Sequence, residues 1–272
     1  SPGEVTVAHR AEVLSFQRLA HRVLESVGGP VRQALTEPAQ AMVLQHLTAN
    51  LSGSLHYYRR LERLGGFVSR LGATITELIQ EGVTPDELAA AESTQLHDDP
   101  VHEAKLHDLR TIYSAYLDYL GRGRLDPHQH LRIARECFDR CEWLRGAEVW
   151  VDGFASLSGE EIQTLLALAR LSVHTEITVL VDPRLCVGSS PTFLTNASRS
   201  LFAKTLKTYQ ELNGYFAHAG LQIEDALLLD GAPGRFQRCA SLARLERSLF
   251  MPSPQLDAEA VVEGVELIEL PS

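Results

Sequence analysis

Residues 149–182 read VWVDGFASLSGEEIQTLLALARLSVHTEITVLVD. Two short apolar runs, Val149–Val151 and Ile177–Val181, each end in an acid, Asp152 and Asp182. Between them Ser158 is placed to start a helix in which Ile162, Leu165, Leu166 and Ala169 recur at helical spacing. Strand, crossover helix and strand within about thirty residues predict a βαβ unit, right-handed by the general rule. Acids at the C-terminal ends of parallel strands stand where open α/β sheets bind ligands. The stretch therefore predicts an α/β chain whose Asp152–Asp182 edge faces a nucleotide or a metal.

The 272 residues leave room for one large domain or two ordinary ones. A 44% apolar share with 22% charged residues excludes a globally disordered chain. The net charge of −10 excludes a chain coated in basic surface, but not a local basic groove. Of the 25 basic residues only Lys105, Lys204 and Lys207 are lysines. Arginine suits phosphate forks, although a GC-rich genome produces the same bias. Cys137, Cys141, Cys186 and Cys239 are too few and scattered for a disulfide scaffold. No apolar run approaches the roughly 18 residues of a membrane span, and no signal-peptide core opens the chain. These features predict a cytoplasmic protein without membrane contact. A strand pattern at Gly264–Leu270, two residues before the last, reads as an excerpt of something longer.

Upstream of the opening stretch the texture is helical. The apolar run Glu12–Leu14 predicts a strand end, and Phe16, Leu19, Ala20, Val23 and Leu24 predict a helix closed by Gly28-Gly29. Pro38 opens a second helix, and further helices are expected over Leu55–Leu64 and Phe67–Ile79. Thr84-Pro85-Asp86-Glu87 is a capping box with proline at the first helical position. Asp99-Pro100 starts a longer helix striped by Leu106, Leu109, Tyr113, Tyr116 and Leu120. Asp126-Pro127 starts another, carried through Cys137. No convincing strand is expected between about residues 30 and 145. Downstream, a helix is expected from Leu201 to Phe216, a strand over Ala226–Leu229 and a helix over Leu242–Phe250. The chain thus divides as 1–29, a first strand–helix unit; 30–145, a helical insertion; and 146–272, the remaining α/β part.

Candidate chemistry is sparse. A Walker B acid must end an apolar strand to reach Mg²⁺ beside a triphosphate, and Asp152 has that place. The residue after it, where a water-orienting carboxylate is common, is Gly153. The phosphate loop GxxxxGK[ST] is absent, and Lys204-Thr205 lacks a glycine cradle. Asp152 is thus either a surviving metal contact or a strand-end acid bonded to nearby groups. Cys137 and Cys141, four apart on one expected helix near His128 and His130, lack paired CxxC spacing and read as buried thiols. His97, His102 and His107 scatter around a helix. No metal site is expected. For nucleic acid, the stretch Leu14-Ser15-Phe16-Gln17-Arg18 could offer hydroxyl, backbone N–H, arginine and a stacking ring. Ser15 as a helix cap and Phe16 as core explain it equally well. Arg59, Arg60 and Arg63 beside Tyr57 and Tyr58 form a small basic-aromatic patch that a solvated face also explains.

VLSFQRLAHRVLESVGG (Val13–Gly29) resembles a segment of the AddB family, the second subunit of bacterial ATP-dependent helicase–deoxyribonucleases. LIQEGVTPDEL (Leu78–Leu88), KLHDLRTIYSAYLDYL (Lys105–Leu120) and VWVDGFASLSGEEIQTLLAL (Val149–Leu168) follow in that family's order. More distantly, the chain is similar to UvrD-like superfamily-one helicases. The resemblance implies a partial RecA-like parallel sheet with a large all-helical insertion, set in double-strand-end processing and recombination repair. It implies DNA and an AddA-type subunit as partners. Ser15, Phe16 and Arg18 would touch DNA; Asp152, Gln163 and Asp182 would be remnants of a nucleotide edge. Gly153, and Leu185-Cys186 where a glutamine is expected, depart from an active helicase. The ATP, Mg²⁺ and iron–sulfur cluster of the parent family are therefore expected to be outside this chain or degenerate in it. The expected role is non-catalytic DNA holding and subunit scaffolding. The alternative is a protein-interaction scaffold touching neither nucleotide nor DNA, and an unrecognised enzyme along the acid edge is a third.

Overall fold

The computed structural model describes residues 11–28, 33–60, 66–94, 99–121, 124–181, 201–229 and 239–248. It divides into two compact units, Ser1–Val149 with Ser158–Thr175, and Trp150–Leu157 with Glu176–Ser272.

The first unit is built of capped helices. Helix α1 (Phe16–Ser26) starts at Ser15 and buries Leu19, Ala20 and Val23. The periodic spacing of those three residues is what puts them on one face. Helix α2 (Glu37–Leu51) is capped by Thr36 and carries Pro38 in its first turn. Helix α3 (Phe67–Gln80) ends where Gly82 takes φ +71°. Helix α4 (Pro85–Thr94) begins at the expected box: the Thr84 N–H donates to Glu87 Oε2 at 2.8 Å, and the Glu87 N–H to Thr84 Oγ1 at 3.2 Å. Helix α5 (Pro100–Leu120) is capped by Asp99.

Leu44, Leu71, Ile75, Ile79, Ile112, Tyr113 and Tyr116 close one core, with Leu44, Ile75, Ile112 and Tyr116 wholly buried. Two phenols in it keep a polar partner, as buried tyrosines should. Tyr113 donates to the Val83 carbonyl at 3.0 Å, and burial pushes its phenol up to about 12. Tyr116 donates to Asp126 Oδ2 at 2.6 Å; burial and this bond push its phenol far above the ordinary range.

Three expectations for residues 30–145 are corrected. Strand β1 (Gln33–Ala34) pairs in parallel with β2 (Arg124–Leu125), Gln33 opposite Arg124 and Ala34 opposite Leu125. Two-residue pairings leave no periodic signal in sequence. No helix covers Leu55–Arg60, which forms a turn and a 3-10 turn at Tyr58–Arg60; residues 61–65 lie outside the described residues. Cys137 and Cys141 do not share a helix. Helix α6 (His130–Arg135) stops short of them, a 3-10 turn at Phe138–Arg140 lies between, and Cys141 is extended at φ −94°, ψ +96°. Both thiols are free and buried.

Helix α7 (Gly159–Leu171) has a complete capping box, Ser158 with Glu161. Its first turn rests on the end of α3, with the Gly159 N–H donating to Glu81 Oε2 at 3.0 Å. A Cβ on Gly159 would lie 2.3 Å from the Glu81 carbonyl oxygen, so glycine is required by close approach. Beside it, buried Glu160 takes a 2.6 Å ion pair from Arg135.

Strand β3 (Glu148–Val151) and strand β4 (His174–Ile177) form a second two-stranded sheet. The Val173 N–H donates to the Ala147 carbonyl and the Thr178 N–H to the Val151 carbonyl. The partners rise together along both strands, as in a parallel pair, so strand–helix–strand is realised. The chain is mostly helical with small parallel pairs, compatible with α/β.

Three strand expectations are corrected. β4 occupies His174–Ile177 rather than Ile177–Val181, because its partner's ladder ends at Val151, where the chain turns off at Gly153. Residues 226–229 belong to no strand, and no strand occupies residues 11–15. Asp182 and the run 264–270 lie outside the described residues. In the second unit, helix α8 (Ala203–His218) buries Leu206 and Leu212 and donates from Thr208 Oγ1 to the Ala155 carbonyl at 3.1 Å. Helix α9 (Ala240–Ser248) covers most of the helix expected there.

Candidate functional site

Asp152 follows the last residue of β3 with its carboxylate in solvent. The Thr178 hydroxyl donates to its Oδ1, and the Thr178 N–H donates to the neighbouring Val151 carbonyl at 2.8 Å. Asp152 is therefore engaged as a strand-end acid bonded within its own sheet. Gly153 sits at φ +84°, the left-handed region in which a side chain is strained, although the space around it is open. Gln163 is exposed on α7, in the first unit, whereas Asp152 belongs to the second. Lys204 is exposed, and Thr205 donates its hydroxyl to the Phe202 carbonyl at 3.1 Å, an ordinary first-turn bond.

The start of α1 is a different kind of place. Ser15 Oγ accepts the Arg18 N–H at 3.3 Å, so the hydroxyl caps the helix. Phe16 is half-buried and Arg18 exposed. An open groove runs along this face between Glu12, Leu14, Arg18, His21, Arg22 and Glu25. Its charges are mostly compensated: Arg22 pairs with Glu12 at 2.8 Å, and His21 lies 3.4 Å from Glu25. The Arg22 guanidinium also lies 5.7 Å from the Trp143 ring centroid. Among the described residues Arg18 has no such partner, which leaves its guanidinium for a ligand. The structure thus keeps Ser15, Phe16 and Arg18 together, with Ser15 already occupied.

Asp108 escapes notice in the sequence, and Asp126, expected as a helix start, proves to be buried as well. Asp108 is wholly buried, and its Oδ2 accepts the Tyr57 N–H at 2.7 Å and the Tyr58 N–H at 2.8 Å. The His56 N–H reaches Oδ1 at 2.9 Å. A lone acid at the edge of the α5 apolar stripe was the available signal. Asp126 is 1% exposed and accepts from Tyr116, from Gln40 Nε2 at 3.3 Å and from the His128 N–H at 2.9 Å. Both are satisfied buried acceptors rather than free chemistry. Burial pushes the nearby His130 imidazole down, helped by His21 and opposed by Asp126. Among the described residues no three His, Cys, Asp or Glu side chains gather as a metal-ligand set, and no helix is long and apolar enough to cross a membrane.

Comparison with known proteins gives one consistent result. Residues 2–246 match the family described as ADDB, N-terminal. The chain is 34% identical over 248 residues to the B subunit of the ATP-dependent helicase/deoxyribonuclease of Pelotomaculum thermopropionicum, covering 90% of this chain and 21% of that protein. It is 32% identical over 243 residues to the protein of the same name from Moorella thermoacetica, covering 87% and 20%. It is 34% identical over 179 residues to that of Alkaliphilus metalliredigens, covering 66% and 16%. The chain spans about a fifth of the length of these relatives.

Proposed function

The chain belongs to the AddB N-terminal family, and from that premise we propose that it holds DNA within a helicase–nuclease assembly without hydrolysing nucleotide itself. The observation that carries the DNA reading is Arg18. It is a cation without an ion-pair partner among the described residues, in an open groove at the N-terminal end of α1, where the helix dipole also favours an anion. Phe16 beside it is placed to support a base or to pack the helix, and Ser15 contributes by holding the helix start. The assembly partners follow from the relatives' name: DNA, and an AddA-type subunit with which an AddB chain would act in end processing and recombination repair.

The nucleotide edge is a remnant in this proposal, and β3, α7 and β4 are part of a RecA-like sheet. Support comes from the parallel crossover with an acid just beyond a strand end. The residues present do not fit Mg²⁺–ATP: no phosphate loop exists in the sequence, Asp152 is bonded to Thr178, and Gly153 stands at a backbone angle unsuited to glutamate. Gln163 and Asp182 then carry no catalytic duty.

The test is two measurements on the chain. ATP turnover with and without DNA should be absent; robust turnover lost in Asp152→Ala would overturn the remnant assignment. Binding of single-stranded DNA should be weak and salt-sensitive, given the net charge of −10. Arg18→Ala should lower the salt slope by about 0.7, the value of one phosphate on a single strand. Ser15→Ala is a poorer probe, since losing the cap costs about 1 kcal/mol of stability.

A protein-docking role is the second reading, favoured by one observation. In the second unit Trp150, Leu180, Leu227 and Leu229 are 63%, 73%, 84% and 84% exposed. Large apolar side chains left in water suit a protein partner if they form one patch.

A further inference from the structure

The loop before α3 carries a second surface that the α1 groove does not explain. Its backbone is held unusually firmly. Three successive N–H groups, of His56, Tyr57 and Tyr58, converge on the buried Asp108 carboxylate. All three point inward, so the loop's conformation is set by its backbone and not by its side chains. What the loop presents outward is aromatic and cationic. Tyr57 remains 39% exposed, and the Lys105 ammonium stands 4.7 Å from its ring centroid. The His56 and His107 rings lie 5.0 Å apart beside it, and Arg59 is exposed with no ion-pair partner among the described residues. Glu92 is already bonded to Arg110 at 3.0 Å and lies 3.4 Å from His107, and the Asp108 carboxylate beneath the loop is taken up by the three N–H groups. The charges this surface offers to solvent, Lys105 and Arg59, are thus cationic on a chain whose net charge is −10.

We propose that this loop is a stacking platform for single-stranded nucleic acid: Tyr57 meets a base, and Lys105 and Arg59 meet the flanking phosphates. A ring for any base and a cation for any phosphate is the sequence-tolerant chemistry of single-strand binding. A rigid backbone beneath the ring lowers the ordering cost of binding. The proposal rests on the reading that this chain holds DNA, and adds a contact distinct from Arg18. The Tyr57 ring stands edge-on to Tyr58 at 5.3 Å with cations at its flank, an arrangement that matches a base and its phosphates better than a protein ligand.

The test is fluorescence anisotropy with the full chain, using oligothymidylate and an abasic deoxyribose-phosphate oligomer of equal length. Tyr57→Ala should weaken oligothymidylate binding about tenfold, while leaving the abasic oligomer unaffected and Tyr57→Phe near the parent. Because Asp108 grips backbone N–H groups, Tyr57→Ala should keep its urea midpoint. Lys105→Ala and Arg59→Ala should each weaken both oligomers and lower the salt slope by about 0.7. Equal weakening of both oligomers by Tyr57→Ala, or none, overturns the platform. If Arg18→Ala has no effect while the Tyr57 pattern holds, the α1 assignment falls and the platform stands. If the parent chain binds neither oligomer, both fall.

Discussion

The helical core and the β3–α7–β4 stretch handle apolar side chains in opposite ways. Around α2, α3 and α5, Leu44, Ile75, Ile112 and Tyr116 are wholly buried, and Tyr113 and Tyr116 each find an acceptor. In the second stretch α7 buries Ile162, Leu165 and Leu166, but Trp150 on β3 and Val173 just before β4 are 63% and 70% exposed. Parallel sheets are normally covered on both faces. Here the helices have completed a core from their own residues, whereas the short strand pair leaves Trp150 in solvent. Self-sufficiency is the difference: local capping and periodic faces suffice for a helical bundle, whereas a parallel sheet needs further strands and layers to hide its residues.

The largest expected effect tests that contrast directly. Ile75→Ala should cost about 2–5 kcal/mol, the usual range for truncating a fully buried side chain. Trp150→Ala, though it removes more atoms, should cost no more than about 1 kcal/mol because most of its surface is already in water. Urea unfolding of the two variants measures both; equal losses would erase the distinction between the regions.

Next in size is the contact of α3 with α7. Gly159→Ala places a Cβ 2.3 Å from the Glu81 carbonyl, a backbone atom that cannot swing aside. A loss of about 1–3 kcal/mol is expected from such overpacking, read as a lower urea midpoint. An unchanged midpoint would mean that α7 is not seated on α3 as described.

Gly153→Glu sharpens the nucleotide-edge assignment. Moving a side chain into the left-handed region at φ +84° should cost about 1–2 kcal/mol. Restoring the carboxylate should bring no ATP turnover, because the strand end is shaped for glycine and no phosphate loop is present. Turnover gained by this one substitution would show that the edge is intact apart from its glutamate.

The smallest effect is acid-linked. The folded His130 imidazole is held below the ordinary histidine value of about 6.5 by burial and by His21. As pH falls through that value the unfolded chain takes the proton first. The contribution is therefore complete above about 6.5 and declines towards the folded pKa. His130→Asn should flatten part of the loss of stability between neutral and mildly acidic pH. A wild-type slope in the variant would assign the acid sensitivity elsewhere.

Much of this was legible in sequence because it is local. Thr84-Pro85-Asp86-Glu87 reads as a capping box and Ser158 as a helix start, and the structure forms both, with Glu161 completing a box at the second. The glycine at 82 stops its helix, and Ile162, Leu165 and Leu166 are buried as their spacing requires. The family too could be read from runs such as VLSFQRLAHRVL and VWVDGF, without coordinates.

What failed was non-local. The short pair Gln33–Ala34 with Arg124–Leu125 joins residues some ninety positions apart, and no periodicity records it. The run ITVLV has strand propensity throughout, yet only Ile177 belongs to β4, because a strand extends only as far as its partner's ladder. Asp108 looks in sequence like any surface acid on a helix. Only the fold brings three N–H groups to it and makes it the hold on a loop.

The sequence by itself determined the helix starts, the crossover unit and the family, since each is written in residues close together along the chain. Tertiary structure decided that Asp152 is bonded to Thr178 and that Gly153 is left-handed. It also decided that Arg18 stands unpaired among the described residues while Arg22 does not, and that Tyr57 faces outward over a fixed backbone. Those outcomes depend on which distant groups reach a given charge or ring, and proximity in space is what folding supplies.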